Sequence, residues 1–253
     1  MKNQKQKKEH PFIRLQTELT ELISKSKPGD KLLNEPDLAK KLGVSRATLR
    51  EAMRAFEGQG LIRRRQGVGT FVVSHTHTIE SGLEVLESIE TQAKRIGLDV
   101  SMGNLKLEQI DADKDQAEYL VVKTGTKVIK ITRVIIAENR PVAYLIDLLP
   151  ADILTVEDLK EGFTGSVLDW LLRRGTPLLA NSSTEIQAIA AHQEVARALQ
   201  IQRGDVLLKF IGNLLSSNGR VIDHSASYFL PGYFRFHVVR RVNHNHMDFV
   251  RSK

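Results

Sequence analysis

The sequence predicts an α+β chain of two domains, and three observations carry that expectation. Residues 35–73 hold two short helical stretches followed by a basic hairpin, residues 80–242 alternate between helix-like and strand-like runs, and the excess positive charge sits at one end. At 253 residues, 41% of them hydrophobic, the chain is long enough for two cores. Its net charge is +7, yet residues 1–75 hold 16 Lys and Arg against 8 Asp and Glu, while the remaining 178 hold 21 against 22. A field confined to one module gives salt-sensitive affinity for a polyanion by counterion release and leaves the near-neutral remainder for another role.

The first helix is expected over 36–42, where Leu38, Ala39 and Leu42 fall on one face and Gly43 stops the run. Ser45 is a good N-cap, because its hydroxyl can accept from free backbone N–H groups of the next turn. The second helix, 46–57, then places Leu49, Ala52, Met53 and Phe56 on one face and leaves Arg46, Thr48, Arg50 and Arg54 on others. Guanidinium forks and hydroxyls in a helix's first turns suit a major-groove reader, since they address guanine edges and phosphates. Strands at 61–62 and 70–73 are joined by Arg63-Arg64-Arg65-Gln66-Gly67-Val68-Gly69. Three arginines on that turn suit a loop lying on the sugar-phosphate backbone or entering a minor groove, with a solvated charged hairpin as the competing reading. Two helices, a tight turn and this wing make a winged helix-turn-helix.

Composition removes several function classes. Without Cys there is no disulfide scaffold, thiolate metal site or Cys nucleophile. No apolar run approaches the roughly 20 residues of a membrane span, and the basic leader from Lys2 to Lys8 has no hydrophobic region after it. The expectation is a cytoplasmic protein with no membrane partner, the leader serving as a solubilising tail rather than an auxiliary DNA arm. His75 with His77, and His244 with His246, lack carboxylate or thiolate partners nearby, so no metal and no cofactor is expected. Residues 75–79 are taken as the linker between a 9–74 head and an 80–246 second domain.

In that second domain a helix is expected over 80–96, with Leu83, Leu86, Ile89 and Ala93 in one stripe closed by Gly97. Strands follow at 100–107, 127–137 and 142–149, the last two joined at Glu138-Asn139-Arg140-Pro141, with a helix at 114–120. A helix at 165–173 capped by Thr164 or Ser166, a strand at 183–188 and a helix at 192–199 come next, and 204–215, 220–230 and 235–242 close an antiparallel sheet.

The run from Pro28-Gly29-Asp30-Lys31-Leu32 through Val44-Ser45-Arg46-Ala47-Thr48-Leu49-Arg50-Glu51-Ala52 to Gly67-Val68-Gly69-Thr70-Phe71 resembles the GntR family of bacterial transcription regulators. The resemblance puts Arg46, Thr48 and Arg50 at DNA-contact positions and the Gly67 to Thr70 wing tip in a minor groove. The expected DNA-facing set is Glu35, Ser45, Arg46, Thr48, Arg50, Arg54, Arg65, Gln66, Gly67, Gly69 and Thr70. One departure stands out: the family usually has Pro-Ser-Glu-Arg where this chain has Leu33-Asn34-Glu35-Pro36, so a frequent contact Arg is missing.

The later elements resemble the UTRA effector domain of the HutC subfamily, whose fold is shared with chorismate lyase. The marks are Ile131-Thr132-Arg133, the Asn139-Arg140-Pro141 hairpin with Leu149-Pro150, the Gly165-Ser166-Val167-Leu168-Asp169 helix start, the 199–208 helix-to-strand passage, and Ser227-Tyr228-Phe229 with Phe234-Arg235-Phe236. The resemblance implies a small effector bound in a pocket on the sheet. Arg133, on a strand otherwise made of Val, Ile and Thr, is the candidate anion fork, and Ser166 opens a helix whose free N–H groups favour an anion. By resemblance, Ser101 is a further polar pocket position, and Asp223 and Tyr228 are positions that hydrogen-bond a ligand's hydroxyl or amine groups. Competing readings are an N-cap for Ser166, a core ring for Tyr228 and a strand-end salt bridge for Asp223. Ile135 stands where sugar-phosphate sensors carry a second Arg, and Leu145 replaces a common Glu. Asp147 and His224 are nearby polar groups whose direction the sequence leaves open.

The function expected is a ligand-responsive, DNA-binding transcriptional regulator: a homodimeric repressor that binds a palindromic double-stranded operator and leaves it when an anionic or polar metabolite binds. An activator of the same architecture is the alternative. A lyase-like enzyme is disfavoured, because no nucleophile elbow, phosphate-cradling glycine loop or metal triad is present.

Overall fold

The computed structural model describes residues 11–27, 29–58, 61–65, 67–73, 79–160 and 163–239. The head opens with α1 (Pro11–Ser24), followed by α2 (Glu35–Lys41), α3 (Arg46–Gly58) and a hairpin of β1 (Ile62–Arg65) with β2 (Gly69–Val72). Asn34 caps α2, its side-chain oxygen accepting from the Asp37 amide at 2.9 Å. Ser45 caps α3 in the same way, its hydroxyl accepting from the Thr48 amide at 3.1 Å. Leu15 and Leu19 of α1 complete a core with Leu38, Leu49, Met53, Phe56, Ile62 and Val72. Sequence patterning gave no account of α1, whose apolar stripe has meaning only against α3.

Two expectations in the head need adjusting. Arg63, Arg64 and Arg65 lie on strand β1 rather than on the turn, because the register pairs Ile62 with Val72 and Arg65 with Gly69, and Gly67 and Val68 are in the turn. All three side chains are exposed, whereas Ile62 is buried. Gln66 lies outside the described residues, as do His75, His77, His244 and His246.

The second domain is a six-stranded antiparallel sheet in the order β4 (Val100–Asp111), β5 (Lys127–Ala137), β6 (Arg140–Pro150), β9 (Val221–Phe229), β8 (Val206–Ser216) and β7 (Leu179–Ala190). Its helices are α4 (Ile89–Arg95), α5 (Lys114–Leu120), α6 (Val156–Lys160), α7 (Val167–Arg174) and α8 (Gln193–Leu199). On one face, Ile129, Ile131 and Leu149 pack with Leu159, Val167 and Leu171 of α6 and α7. On the other, Val128 and Leu148 pack with Ala117 and Leu120 of α5, while Val195 and Leu199 of α8 enter the large core around Tyr144 and Tyr228.

The helix expected over 80–96 is wrong for its first half. Residues 79–82 form strand β3 (Ile79–Gly82), which pairs in parallel with β10 (Phe234–His237), and the helix starts only after Ser88, whose hydroxyl accepts from the Thr91 amide. Leu83 and Leu86, at 40% and 50% exposure, therefore do not form the buried stripe. The backbone of 79–82 finds its hydrogen bonds at the far end of the domain, as when the Ile79 amide donates to the Tyr233 carbonyl at 2.9 Å, and local periodicity carries no trace of such a partner. Correspondingly, the last expected strand does not join the main sheet, and it ends at His237. Among the described residues no helix is long and apolar enough to cross a membrane.

Candidate DNA interface and effector site

Helix α3 turns one face into the head core and the opposite one outward, so Arg46, Arg50 and Arg54 are exposed while Leu49, Ala52 and Met53 are buried. The Ser45 and Thr48 hydroxyls are 2.7 Å apart at its start. Arg50 is held by Glu35, its Nε donating to Oε2 at 2.6 Å, and the other oxygen of Glu35 meets Arg64 Nη2 at 3.4 Å. Glu35 thus ties the exposed helix to the wing. The hydrogen bond from Arg50 is the main reason its carboxyl is held below the ordinary range, with the charges of Arg50, Arg64 and Arg46 adding to it. Arg65 lies over the Phe71 ring, 5.5 Å from its centre. Gly67 and Gly69 both have positive φ, at 73° and 140°, which suits glycine at a wing tip. Thr70 differs from the other expected contacts: its side chain is buried and its carbonyl accepts from the Leu32 amide at 2.8 Å.

Strand alternation sorts the expected effector residues. Arg133 of β5, Asp147 of β6 and Asp223 of β9 project from the sheet face that carries Ile131, Leu149 and Leu214. Arg133 is 4% exposed, Asp147 and Asp223 each 6%. Arg133 Nη1 donates to Asp147 Oδ2, and its guanidinium lies 6.0 Å from the centre of the Phe163 ring. Ser166 approaches this face from the start of α7, its hydroxyl accepting from the Asp169 amide at 2.9 Å, so it is an N-cap whatever else it does. Asp169 in turn accepts from the Ser88 hydroxyl at 2.6 Å, which pins α7 to α4. Glu90 of α4 completes the group; a Cβ added to Gly165, at φ 115°, would stand 2.9 Å from its Oε1. Burial is the first cause raising Glu90's carboxyl, against the lowering charge of Arg133. Burial is the first cause pushing the Asp223 carboxyl well up, and the charge of Asp147 and a hydrogen bond to it act in the same direction.

Ser101 and Tyr228 do not join this group. Ser101 pairs with Ile136 and is exposed on the opposite face of the edge strand β4. Tyr228 is an odd number of residues from Asp223, so it too points the other way, stacked on Tyr144 with ring centres 6.1 Å apart and edge-on to His192. His224 also faces that side, with Nδ1 2.6 Å from Asn213 Oδ1 and its ring stacked on Tyr119 at 4.4 Å. Asp147 and Glu90 were the residues that sequence reading left without a role, and their proximity to Arg133 arises only from cross-strand register and helix docking.

A winged helix-turn-helix with an exposed basic face, joined to an antiparallel sheet that buries a charged cluster, has the make-up of a DNA-binding regulator. Residues 14–72 match the model of bacterial regulatory proteins of the gntR family, and residues 95–235 match the UTRA domain. The chain belongs to the GntR regulators of HutC type, which carry a UTRA effector domain. It is 28% identical over 210 residues to the HTH-type transcriptional repressor NagR of Bacillus subtilis, covering 83% of this chain and 85% of that one. It is 29% identical over 181 residues to the histidine utilization repressor of Pseudomonas putida, covering 72% and 71%. It is 25% identical over 219 residues to the mannosyl-D-glycerate transport/metabolism system repressor MngR of Escherichia coli, covering 84% and 88%. The crystal structure of PhnF from Mycobacterium smegmatis has the same fold, with a TM-score of 0.61 at 22% identity over 90% of this chain and all of that one.

Proposed function

We propose that this protein is a homodimeric repressor that binds a palindromic operator through α3 and the β1–β2 wing and is released when a small molecule occupies the cluster around Arg133. The observation that carries the DNA half is the exposed set of Arg46, Arg50 and Arg54 on α3 with Arg64 of the wing joined to Arg50 through Glu35, whereas Arg63 and Arg65 leave β1 on the other side and line the cleft toward the β5–β6 tip. Dimerisation follows from the demands of operator recognition, since one recognition helix covers few base pairs and two heads at fixed spacing supply the rest. The head is taken as 9–74, the linker as 75–79 and the effector and dimerisation domain as 80–246, and the pairing of β3 with β10 supports counting the segment from Ile79 onward with the second domain.

Release is a population shift, in which the effector binds better to the arrangement of heads that mismatches the operator. The β5–β6 hairpin supports such a link. Arg133 and Asp147 lie along its two strands, and at its tip Arg140 Nη2 donates to the Glu57 carbonyl in the last turn of α3 at 3.0 Å. A cleft of about 330 Å³, lined by Arg63, Arg65, Phe71, Glu138, Arg140 and Tyr233, separates the wing from that tip. The test is to select the operator from random duplexes, then measure fluorescence anisotropy with the full chain. Binding should be tight with one dimer per palindrome, and a deproteinised extract of the producing cell should release it. Wild-type affinity in Arg50→Ala, or no release by any extract, would overturn the respective half.

A further inference from the structure

The charge balance of the buried cluster bears on what it binds. Among the described residues, one guanidinium, Arg133, faces four carboxylates: Glu90 from α4, Asp147 from β6, Asp169 from α7 and Asp223 from β9. Asp147 is taken by Arg133, and Asp169 by the hydroxyls of Ser88 and Thr91. Three polar atoms are left buried and unpartnered: the acceptors Glu90 Oε1 and Asp223 Oδ1, and the donor Arg133 Nε. Buried polar atoms of native proteins are nearly all paired, so three orphans in one cluster, two of them on side chains more than nine-tenths buried, mark a place where something else binds.

We propose that the effector is a cation-bearing molecule, with an ammonium, amidinium or imidazolium nitrogen donating to Glu90 and Asp223 and a neighbouring oxygen accepting from Arg133 Nε. This rests on the effector reading given above and narrows it. A phosphate or dicarboxylate would add negative charge to a cluster already short of cations, at low dielectric, where like charges a few ångströms apart cost several kcal/mol. Ile135 and Leu145, both buried, add no cation to offset it. A cationic nitrogen supplies instead the positive charge and the donors that one guanidinium among four acids leaves wanting. The sheet beyond Asp223 suits a polar molecule, because the Ser225, Thr184 and Ser182 hydroxyls converge on Gly212, each 3.3 to 3.5 Å from where its Cβ would be. Ser225 and Ser227 are half-buried and Thr184 is exposed, so the hydroxyl strip leads from the buried acid to solvent.

The experiment uses the full chain without DNA. A deproteinised extract of the producing cell is passed over a strong cation exchanger at acid pH, which retains amines and amino acids and passes sugar phosphates and neutral sugars. Retained and unretained fractions, neutralised and treated with EDTA, are then screened for a rise in melting temperature. The retained fraction is expected to raise it, and the active compound purified from that fraction is expected to bind Asp223→Asn and Glu90→Gln at least about tenfold more weakly, the loss of a charged hydrogen bond. Asn is isosteric with Asp and its amide can donate to Asp147, so Asp223→Asn is expected to melt close to wild type, which separates lost binding from lost folding.

Activity confined to the unretained fraction, a shift that EDTA abolishes, or unchanged affinity in both variants would overturn the cationic assignment while leaving an effector-responsive regulator intact. Activity in neither fraction, combined with an operator complex that no extract releases, would remove the effector reading itself and this inference with it.

Discussion

The arginines of the head and the single arginine of the sheet's charged cluster illustrate two uses of one side chain. Arg46, Arg50, Arg54 and the three arginines of β1 are exposed, and the pairs that Arg50 and Arg64 make with Glu35 and Arg54 with Glu51 lie at the surface, so their charge is available to a polyanion and is screened by salt. Arg133 is enclosed with four carboxylates, so its interaction with Asp147 depends on close placement and very little on ionic strength. Exposed charge gives reach and rate, whereas buried charge gives selectivity, because there each unmatched atom costs free energy that only a complementary partner removes. The same contrast holds among the acids: Glu35, between two arginines, is pushed down, whereas Asp223, buried beside another acid, is pushed up.

The largest expected effect tests the buried side of this comparison. Asp147→Ala leaves the Arg133 charge without its partner and should lower stability by about 3–5 kcal/mol in urea unfolding, while an apolar pair replacing both residues should cost far less. A loss of under about 1 kcal/mol on removing Asp147 alone, the range of exposed pairs, would show that water reaches the cluster. Next in size, Arg50→Ala should weaken operator binding by about 1–3 kcal/mol in anisotropy titrations at fixed salt, with little change in unfolding. An equal loss for every duplex sequence would reassign Arg50 to phosphate contact.

Two smaller effects sharpen the picture. Ser166→Ala removes the cap of α7 and should cost about 1 kcal/mol of stability. If it left stability unchanged and altered only effector affinity, the hydroxyl would belong to the ligand rather than the helix. Asp223 holds its proton in the folded state above the pH at which the unfolded chain releases it, so the native state binds more protons and stability should fall as pH rises from the ordinary carboxylate range toward the raised folded value. The groups facing Asp223 are Asp147 and Arg133, with Glu90 titrating in the same sense nearby. Asp223→Asn should flatten that decline, and chemical denaturation at several pH values would show it; an unchanged slope would assign the decline to Glu90.

Legibility in the sequence was uneven, for physical reasons. The caps at Ser45 and Ser166, the stop at Gly43 and the apolar stripe of α3 act within a few residues, so each could be read from the chain. The hairpin of β5 and β6 was likewise local, signalled by Glu138-Asn139 at its turn, where both residues have positive φ. Strand β3 could not be read, since its pairing with β10 is remote and the Leu83, Ile89 and Ala93 spacing imitates a helix. Of the expected effector residues, Arg133, Ser166 and Asp223 lie at one cluster, while Ser101 and Tyr228 are on the other face of the sheet. Their strands had been recognised, but bulges and register fix which face a strand residue takes, and a shift of one residue reverses it.

What the sequence determined by itself was the presence of a basic helix-turn-helix head, a near-neutral α+β partner domain and the residues available for contact. These depend on composition and on short-range spacing. Only the tertiary structure decided that Glu35 joins the reading helix to the wing, that Glu90 and Asp147 stand with Arg133 and Asp223, and that one cation there meets four acids. Ion pairing and burial act between atoms a few ångströms apart, and such distances are set by sheet register and helix docking between segments that lie far from one another along the chain.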